Sequence, residues 1–201
     1  MTVIAASAPL QSSARVGRPS RRRTYTPKQF LALENDEGRG YLYELDADGH
    51  LEKRQMGHES DAIALAFGAA LYAHAQGRGY AFGGGTGLQI FPDRPLRIPR
   101  CDAAYISKQR LPHPVRGHLQ VAPELVVEVV SPRDNAVALE TKVQEYLAAG
   151  VLRVWIAYPE QRTVTIRRPD GTSTVLGADD EITGEEAAPG FSAPVSSFFP
   201  E

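Results

Sequence analysis

Residues 123–159 read PELVVEVVSPRDNAVALETKVQEYLAAGVLRVWIAYP. ELVVEVV, at 124–130, is a nearly continuous apolar run of strand length, which predicts a strand buried on both faces. SPRDN turns the chain, with Ser131 or Asp134 as the cap of a helix over 135–149 that ends at Gly150. VLRVWIAY (151–158) reads as the next strand. Strand, helix and strand in this order imply parallel neighbours joined by a crossover, with the helix lying on one face of the sheet.

Working outward, the rest of the chain supplies antiparallel partners and covering helices. Thr26 caps a short helix through about Glu34, with Pro27 at its first position. YLYEL (41–45) and LEKRQ (51–55) flank DADG and predict an N-terminal hairpin. From His58 to Ala75, the residues Ile63, Ala66, Phe67, Ala70, Leu71 and His74 recur at helical spacing and form a stripe that should pack on the sheet. GYAFGGGTGLQIF (79–91) reads as a strand broken by glycines for a bulge or a close backbone approach. A phosphate loop would need a lysine and a helix after the glycines, and neither is present. DAAYI (102–106) is a short strand, and 107–122, with Pro112, Pro114 and Gly117, is a loop long enough to suspect of a role near a site. TVTIRR, PDG and TSTVL form a C-terminal β-hairpin, and PGFSAPVSSFF (189–199) is an apolar ending that docks on the body. The expected fold class is α/β: a mixed β-sheet core flanked by helices, with a hairpin towards each end.

Length and charge narrow the functional classes. At 201 residues and 42% hydrophobic, the chain suits one domain, expected over 25–201, behind an Arg- and Ser-rich tail at 1–24 expected to be disordered. That tail holds Arg15, Arg18, Arg21, Arg22 and Arg23 and no acid. Without it the body has 22 − 5 = 17 basic against 24 acidic residues. A body at −7 is no broad nucleic-acid-gripping surface, so phosphate binding has to be local, metal-assisted or helped by the tail. Cys101 is the only cysteine, which excludes an internal disulfide framework and Cys-based zinc sites and fits a reducing, cytoplasmic setting. The longest apolar stretch falls well short of the roughly 18 residues that span a bilayer, so no membrane association is expected.

Glu128 lies in the middle of the buried strand, where an ionised carboxylate needs a cation, a metal ion or several donors. One of the eighteen arginines would serve as a buried partner. Two other residues offer a chemical alternative. The chain has only four lysines, and on a helical wheel Lys142 lies roughly 60° from Leu139, at the edge of the stripe formed by Leu139, Val143 and Tyr146. Its stem can carry the ammonium over Glu128, or snorkel to water. Asp102 precedes its own short strand, where it either caps the strand beside Arg97 or Arg100 or joins Glu128 as a ligand. Two carboxylates with a backbone carbonyl between them are the hard oxygen donors that magnesium prefers, and a lysine beside them completes a phosphodiester-hydrolysis site.

The run at 123–159, with YELDADG (43–49) upstream and PGFSAPVSSFF at the end, resembles the Uma-two family of restriction endonucleases, within the PD-(D/E)xK nuclease superfamily. The resemblance covers about 26–200 and implies a restriction endonuclease-like fold. By it, Asp102 and Glu128 hold a Mg2+ or Mn2+ ion together with the main-chain carbonyl of Val129, and Lys142 acts from the helix, because Val130 stands where the superfamily lysine would. Cys101 replaces the proline before Asp102. Glu44 is a further acidic candidate, His58 matches the start of the second helix, and Tyr146 belongs to the same helix motif as Lys142. The implied activity is cleavage of DNA by a protein that pairs as a homodimer to cut both strands. The alternative from another class is an inactive nuclease-fold module that binds DNA or protein.

Other features carry less. The five histidines lack paired spacing for zinc and are expected mostly on the surface or in loops. Ser131 is a turn or cap hydroxyl outside any nucleophile elbow, and Trp155 is a core residue.

Overall fold

In a computed structural model, which describes residues 22–34, 42–54, 57–114, 116–132 and 134–200, strand Leu125–Val129 (β7) lies inside a six-stranded sheet with every residue buried. The tail up to residue 21 lies outside the described residues. The elements before β7 are α1 (Pro27–Glu34), β1 (Leu42–Leu45), β2 (Leu51–Arg54), α2 (His58–Ala75), β3 (Gly79–Phe82), β4 (Thr86–Gly87), β5 (Arg100–Cys101) and β6 (Ala103–Ser107). After it come α3 (Ala136–Ala148), β8 (Arg153–Tyr158), β9 (Thr163–Arg167), β10 (Ser173–Leu176), β11 (Glu181–Thr183), β12 (Ser192–Pro194) and a 3-10 turn at Val195–Phe198. The sheet runs β10-β9-β8-β7-β6-β3, with β7 and β8 parallel and the other pairs antiparallel.

The alternation of side chains along β7 divides the core in two. Leu125, Val127 and Val129 face α2, meeting Ile63, Phe67 and Leu71, and the C-terminal Phe191, Val195 and Phe198 complete that layer. Phe67 stacks on Phe198 at 3.9 Å and tilts against Trp155 at 6.1 Å. Burying each such side chain stabilises the fold by roughly 1.5–3 kcal/mol, so the apolar ending belongs to the core. Val126 faces the other way, with Ala104, Val154 and Ile156, against Val143 and Tyr146 of α3. Glu128 shares this second face.

Local chemistry sets the element ends. The α1 terminus is a reciprocal capping box: Gln29 N donates to Thr26 Oγ1 at 3.3 Å, and Thr26 N donates to Gln29 Oε1 at 2.9 Å. The cap of α3 is Asn135, not Ser131 or Asp134. Asn135 Oδ1 accepts from Val137 and Ala138 N–H at 2.9 and 3.1 Å, whereas Asp134 Oδ2 closes the preceding turn by accepting from Ser131 N at 2.7 Å. Gly150 follows the helix at φ +99°, as its C-terminal signal requires. In the glycine-rich segment, β3 ends at Phe82 and the chain turns through Gly85 at φ +97°. It then pairs Thr86 with Cys101 and Gly87 with Arg100, and no helix follows the glycines. Gly79 is a true close approach, because a Cβ there would lie 2.2 Å from the Ile106 carbonyl oxygen.

Two histidines pack as aromatics, one in the 107–122 loop and one on the α2 stripe expected to face the sheet. His118 is buried and stacks on Phe30 at 5.4 Å, and His74 sits edge-on between Tyr105 and Phe191. Trp155 is core, as its alternation implied.

Candidate active site

The parallel crossover that places α3 over the β7 face also places Lys142 and Tyr146, one turn apart, above Glu128. Tyr146 Oη donates to Glu128 Oε1 at 3.0 Å. Lys142 Nζ donates to Glu128 Oε2 at 3.2 Å, to Glu44 Oε1 at 3.0 Å and to the Arg100 carbonyl at 2.6 Å. An ammonium has three protons, so these acceptors use its full donor capacity. Glu128 is 3% exposed, Lys142 9% and Glu44 8%. A lysine and a tyrosine hydroxyl thus hold the Glu128 carboxylate that the strand pattern left in need of a partner.

Asp102 occupies the bend between β5 and β6 rather than the strand itself. The register that pairs Ala103 with Val127 sets Asp102 across from Glu128. Its own N–H donates to the Val127 carbonyl at 3.0 Å, and its Oδ2 accepts from Val129 N at 2.7 Å. A residue's N–H and C=O point to the same edge of a strand, so the Val129 carbonyl also faces the Asp102 side. Asp102 is 1% exposed.

Glu44 reaches the site because the hairpin is fastened beside it. Leu45 and Ile98 exchange backbone hydrogen bonds at 3.1 and 3.0 Å. On either side of Glu44, Arg100 Nε donates to the Tyr43 carbonyl at 2.6 Å and Arg97 Nη1 to the Leu45 carbonyl at 3.2 Å. Arg97 Nε also pairs with Glu145 of α3 at 3.1 Å, and Arg94 joins the same carboxylate. In the sequence, Arg97 and Arg100 figure only as neighbours of Asp102 if that residue caps its strand. Their hold on two hairpin carbonyls depends on a contact between segments more than 50 residues apart, which no local pattern encodes.

The electrostatics follow from burial. Desolvation pushes the Tyr146 hydroxyl well above its ordinary value, and the charge of Glu128 adds to it, so the ring donates and stays neutral. Burial disfavours the Arg97 charge, but Glu145 and Glu44 outweigh it and hold the guanidinium above its usual pKa. Burial lowers Arg100 from its usual value.

A cleft of about 420 Å³ opens on this cluster, lined by the buried Glu44, Glu128 and Lys142 and by Arg97, Glu52, Lys53 and Asp134 nearer solvent. Glu128 and Glu44 bring two carboxylates against one ammonium, and Asp102, across the strand pair from Glu128, adds a third that lies behind the cleft wall rather than in its lining. Hard oxygen donors with excess negative charge are what Mg2+ or Mn2+ takes, so the residues present fit such an ion. His58 is exposed at the start of α2 and does not line the cleft. Nor, among the described residues, does any of 107–122. Leu111 and Leu119 anchor that loop in the core, and it borders a separate hollow of about 570 Å³ with Lys28, Arg116 and His118.

Asp46, Asp48 and His50 also bring ligand atoms within 4.8 Å of one another at the hairpin turn. Asp46 Oδ1 accepts from the N–H groups of Asp48 and His50, both at 2.8 Å, and Oδ2 lies 3.0 Å from His50 Nδ1. Those bonds account for the cluster as a turn. Among the described residues, no helix is long and apolar enough to cross a membrane.

The sequence profile of the Uma2 family, described as "Putative restriction endonuclease", matches residues 27–196. No curated protein matches the chain. Among solved structures, one titled as a putative nuclease belonging to DUF820, from Anabaena variabilis, matches with a TM-score of 0.66 at 20% identity. The match covers 87% of this chain and 97% of that one, and at such identity the likeness is one of fold.

Proposed function

The chain belongs to the Uma2 family, and from that membership we propose that it is a metal-dependent endonuclease hydrolysing phosphodiester bonds in DNA at the Glu128 cleft. The observation that carries this reading is the position of Lys142 Nζ, shared between Glu128, Glu44 and the Arg100 carbonyl and backed by Asp102 across the strand pair. Asp102, Glu128 and the Val129 carbonyl would hold a Mg2+ or Mn2+ ion, with Glu44 as a further carboxylate. Such an ion, when bound, polarises a phosphoryl oxygen and lowers the pKa of a bound water.

The chain's own residues do the rest. Lys142, whose three protons go to Glu128, Glu44 and the Arg100 carbonyl in this structure, would turn one of them from a carboxylate to the attacking water, and its charge offsets that developing on the phosphorus oxygens as the new P–O bond forms and the leaving P–O bond breaks. Tyr146 donates to Glu128 and fixes its rotamer, which presets one ligand before any ion arrives. Arg97, tied to Glu145 and Leu45, presents a positioned guanidinium to the same cleft and suits a phosphate next to the one being cut. Gathering Lys53, Arg97 and Lys142 in this cleft agrees with a body whose net charge is −7, since such a surface draws in a polynucleotide only locally.

A plasmid-nicking assay with Mg2+ or Mn2+ tests the reading. Wild-type protein should convert supercoiled to nicked plasmid, EDTA should stop it, and Glu128→Ala, Asp102→Asn and Lys142→Ala should each abolish cutting while the fold is retained. Binding without cutting by the wild type would instead assign the inactive module. Parallel assays on single-stranded DNA and RNA define the substrate.

A further inference from the structure

Helix α2 buries one side completely and still leaves an apolar stripe on the other. Ile63, Ala64, Phe67, Leu71 and Ala75 face the sheet. On the outer side Ala62, Leu65, Ala69 and Tyr72 follow one another at intervals of three, four and three residues, the spacing of a coiled-coil seam. Leu65 is 73% exposed and Tyr72 63%. Surface helices normally carry polar residues here, and a contiguous apolar stripe of this kind marks a contact surface.

The charges at the two ends of α2 say what covers it. Its first turn carries Glu59 and Asp61, both exposed. Just beyond its last turn stand Arg78 and Lys108, held side by side because Lys108 N donates to the Arg78 carbonyl at 2.9 Å. Among the described residues none of the four has an ion-pair partner of opposite charge. A surface that is acidic at one end, apolar in the middle and basic at the other is complementary to itself when turned end for end.

We propose that α2 is a homodimer interface, packing antiparallel against α2 of a second copy about a two-fold axis near Gly68 and Ala69. Leu65 then packs against the partner subunit's Tyr72. The small residues at the axis let the two backbones approach closely, and Glu59 and Asp61 meet the partner subunit's Arg78 and Lys108. The helix spans 18 residues, about 27 Å, long enough to bring both ends into register. A hollow of about 350 Å³ beside the basic end, lined by Tyr72, Gln76, Tyr80 and Lys108, receives the partner's acidic first turn. Because α3 covers the opposite face of the sheet, the two clefts of this dimer face outward, away from each other. The pairing expected for cutting both strands at one place on a duplex is therefore not what this surface provides.

Sedimentation velocity on the full chain tests the proposal independently of any nuclease activity. Wild type should sediment as a dimer, twice the 21.9 kDa chain mass. Leu65→Glu and Ala69→Arg should each weaken association at least tenfold, with far-UV spectra and melting midpoints of a folded chain. Two charge variants, Glu59→Lys/Asp61→Lys and Arg78→Glu/Lys108→Glu, should each be monomeric alone, and their equimolar mixture should recover the dimer. A wild type of 21.9 kDa at the highest soluble concentration would overturn the proposal, including the case in which the N-terminal segment covers the stripe. A dimer insensitive to both Leu65→Glu and Ala69→Arg, or a mixture no more associated than its components, would overturn it equally.

Discussion

Replacing Lys142 with Met keeps the length and apolar bulk of the stem and removes the ammonium. Three contacts at 2.6, 3.0 and 3.2 Å disappear, and Glu44 and Glu128 are left facing each other in a site where each is under 10% exposed. At about 3 Å and an effective dielectric near 20, each ion contact carries roughly 5 kcal/mol of gross attraction, much of which the desolvation of the three groups cancels. What remains when one partner of a buried pair is deleted is about 3–5 kcal/mol of lost stability. For a chain of this size each kcal/mol moves the melting midpoint by roughly 2–4 °C, so Lys142→Met should melt about 6–20 °C below wild type in EDTA. The double variant Glu44→Gln/Lys142→Met should regain part of that loss, because it removes one of the two opposed charges. Adding Mn2+ to Lys142→Met should also raise its midpoint, by about 2.7 kcal/mol in stability at a hundred times the dissociation constant. Differential scanning calorimetry reads all three. A Lys142→Met midpoint within about 2 °C of wild type in EDTA, or a double variant no more stable than the single, would refute the view that the ammonium balances these carboxylates.

Three further predictions concern the scaffold. Asn135→Ala removes the acceptor of two N–H groups at the start of α3, the helix that carries Lys142, and should cost about 0.5–2 kcal/mol in urea unfolding; an unchanged midpoint would return the cap to another residue. Gly79→Ala places a Cβ against the Ile106 carbonyl in the neighbouring strand and should cost about 1–3 kcal/mol, whereas Gly171→Ala, with nothing within 4 Å but a φ of +83°, tests backbone strain without a clash. Burial, and then the charge of Arg78, lowers the pKa of His74, whose buried Nε2 has no hydrogen-bond partner. A base with a depressed native pKa is protonated first in the unfolded chain, so its contribution is fully present above pH 6.5 and is lost as pH falls from there towards the lower native value. The stability of His74→Phe relative to wild type should therefore grow between pH 7.5 and 5.5, and parallel pH profiles would disprove the assignment.

How much of this was legible beforehand depends on the range over which each signal acts. The crossover at 124–158 was readable because two buried strands and a helix stripe are local periodicities, and the parallel pairing of β7 with β8 follows from them. The same wheel that set Val143 and Tyr146 inward set Lys142 at their edge, and Lys142 is indeed buried against Glu128. The resemblance carried by 123–159 and 43–49 agrees with the family match over 27–196. The local sequence does not single out Asn135 as the cap, because Ser131, Asp134 and Asn135 can all cap and only the backbone angles choose among them. The loop at 107–122 lines another hollow because Leu111 and Leu119 pull it into the core, a pull that its prolines and glycine concealed.

The partners of Lys142 show where sequence reading stops. Glu44 was reached only through the resemblance, since 98 residues separate it from Lys142, and the Arg100 carbonyl is a main-chain atom that no side-chain pattern can announce. Both are in place because Arg97 and Arg100 grip the hairpin on either side of Glu44. Arg97 in turn answers to Glu145, three residues after Lys142 on the same helix. One helix thus supplies the ammonium, the hydroxyl that orients Glu128 and, through an arginine, the brace for the carboxylate opposite. A shift of α3 along its axis would loosen all three contacts together, which makes the register of this helix, more than any single charged residue, the quantity on which the site depends.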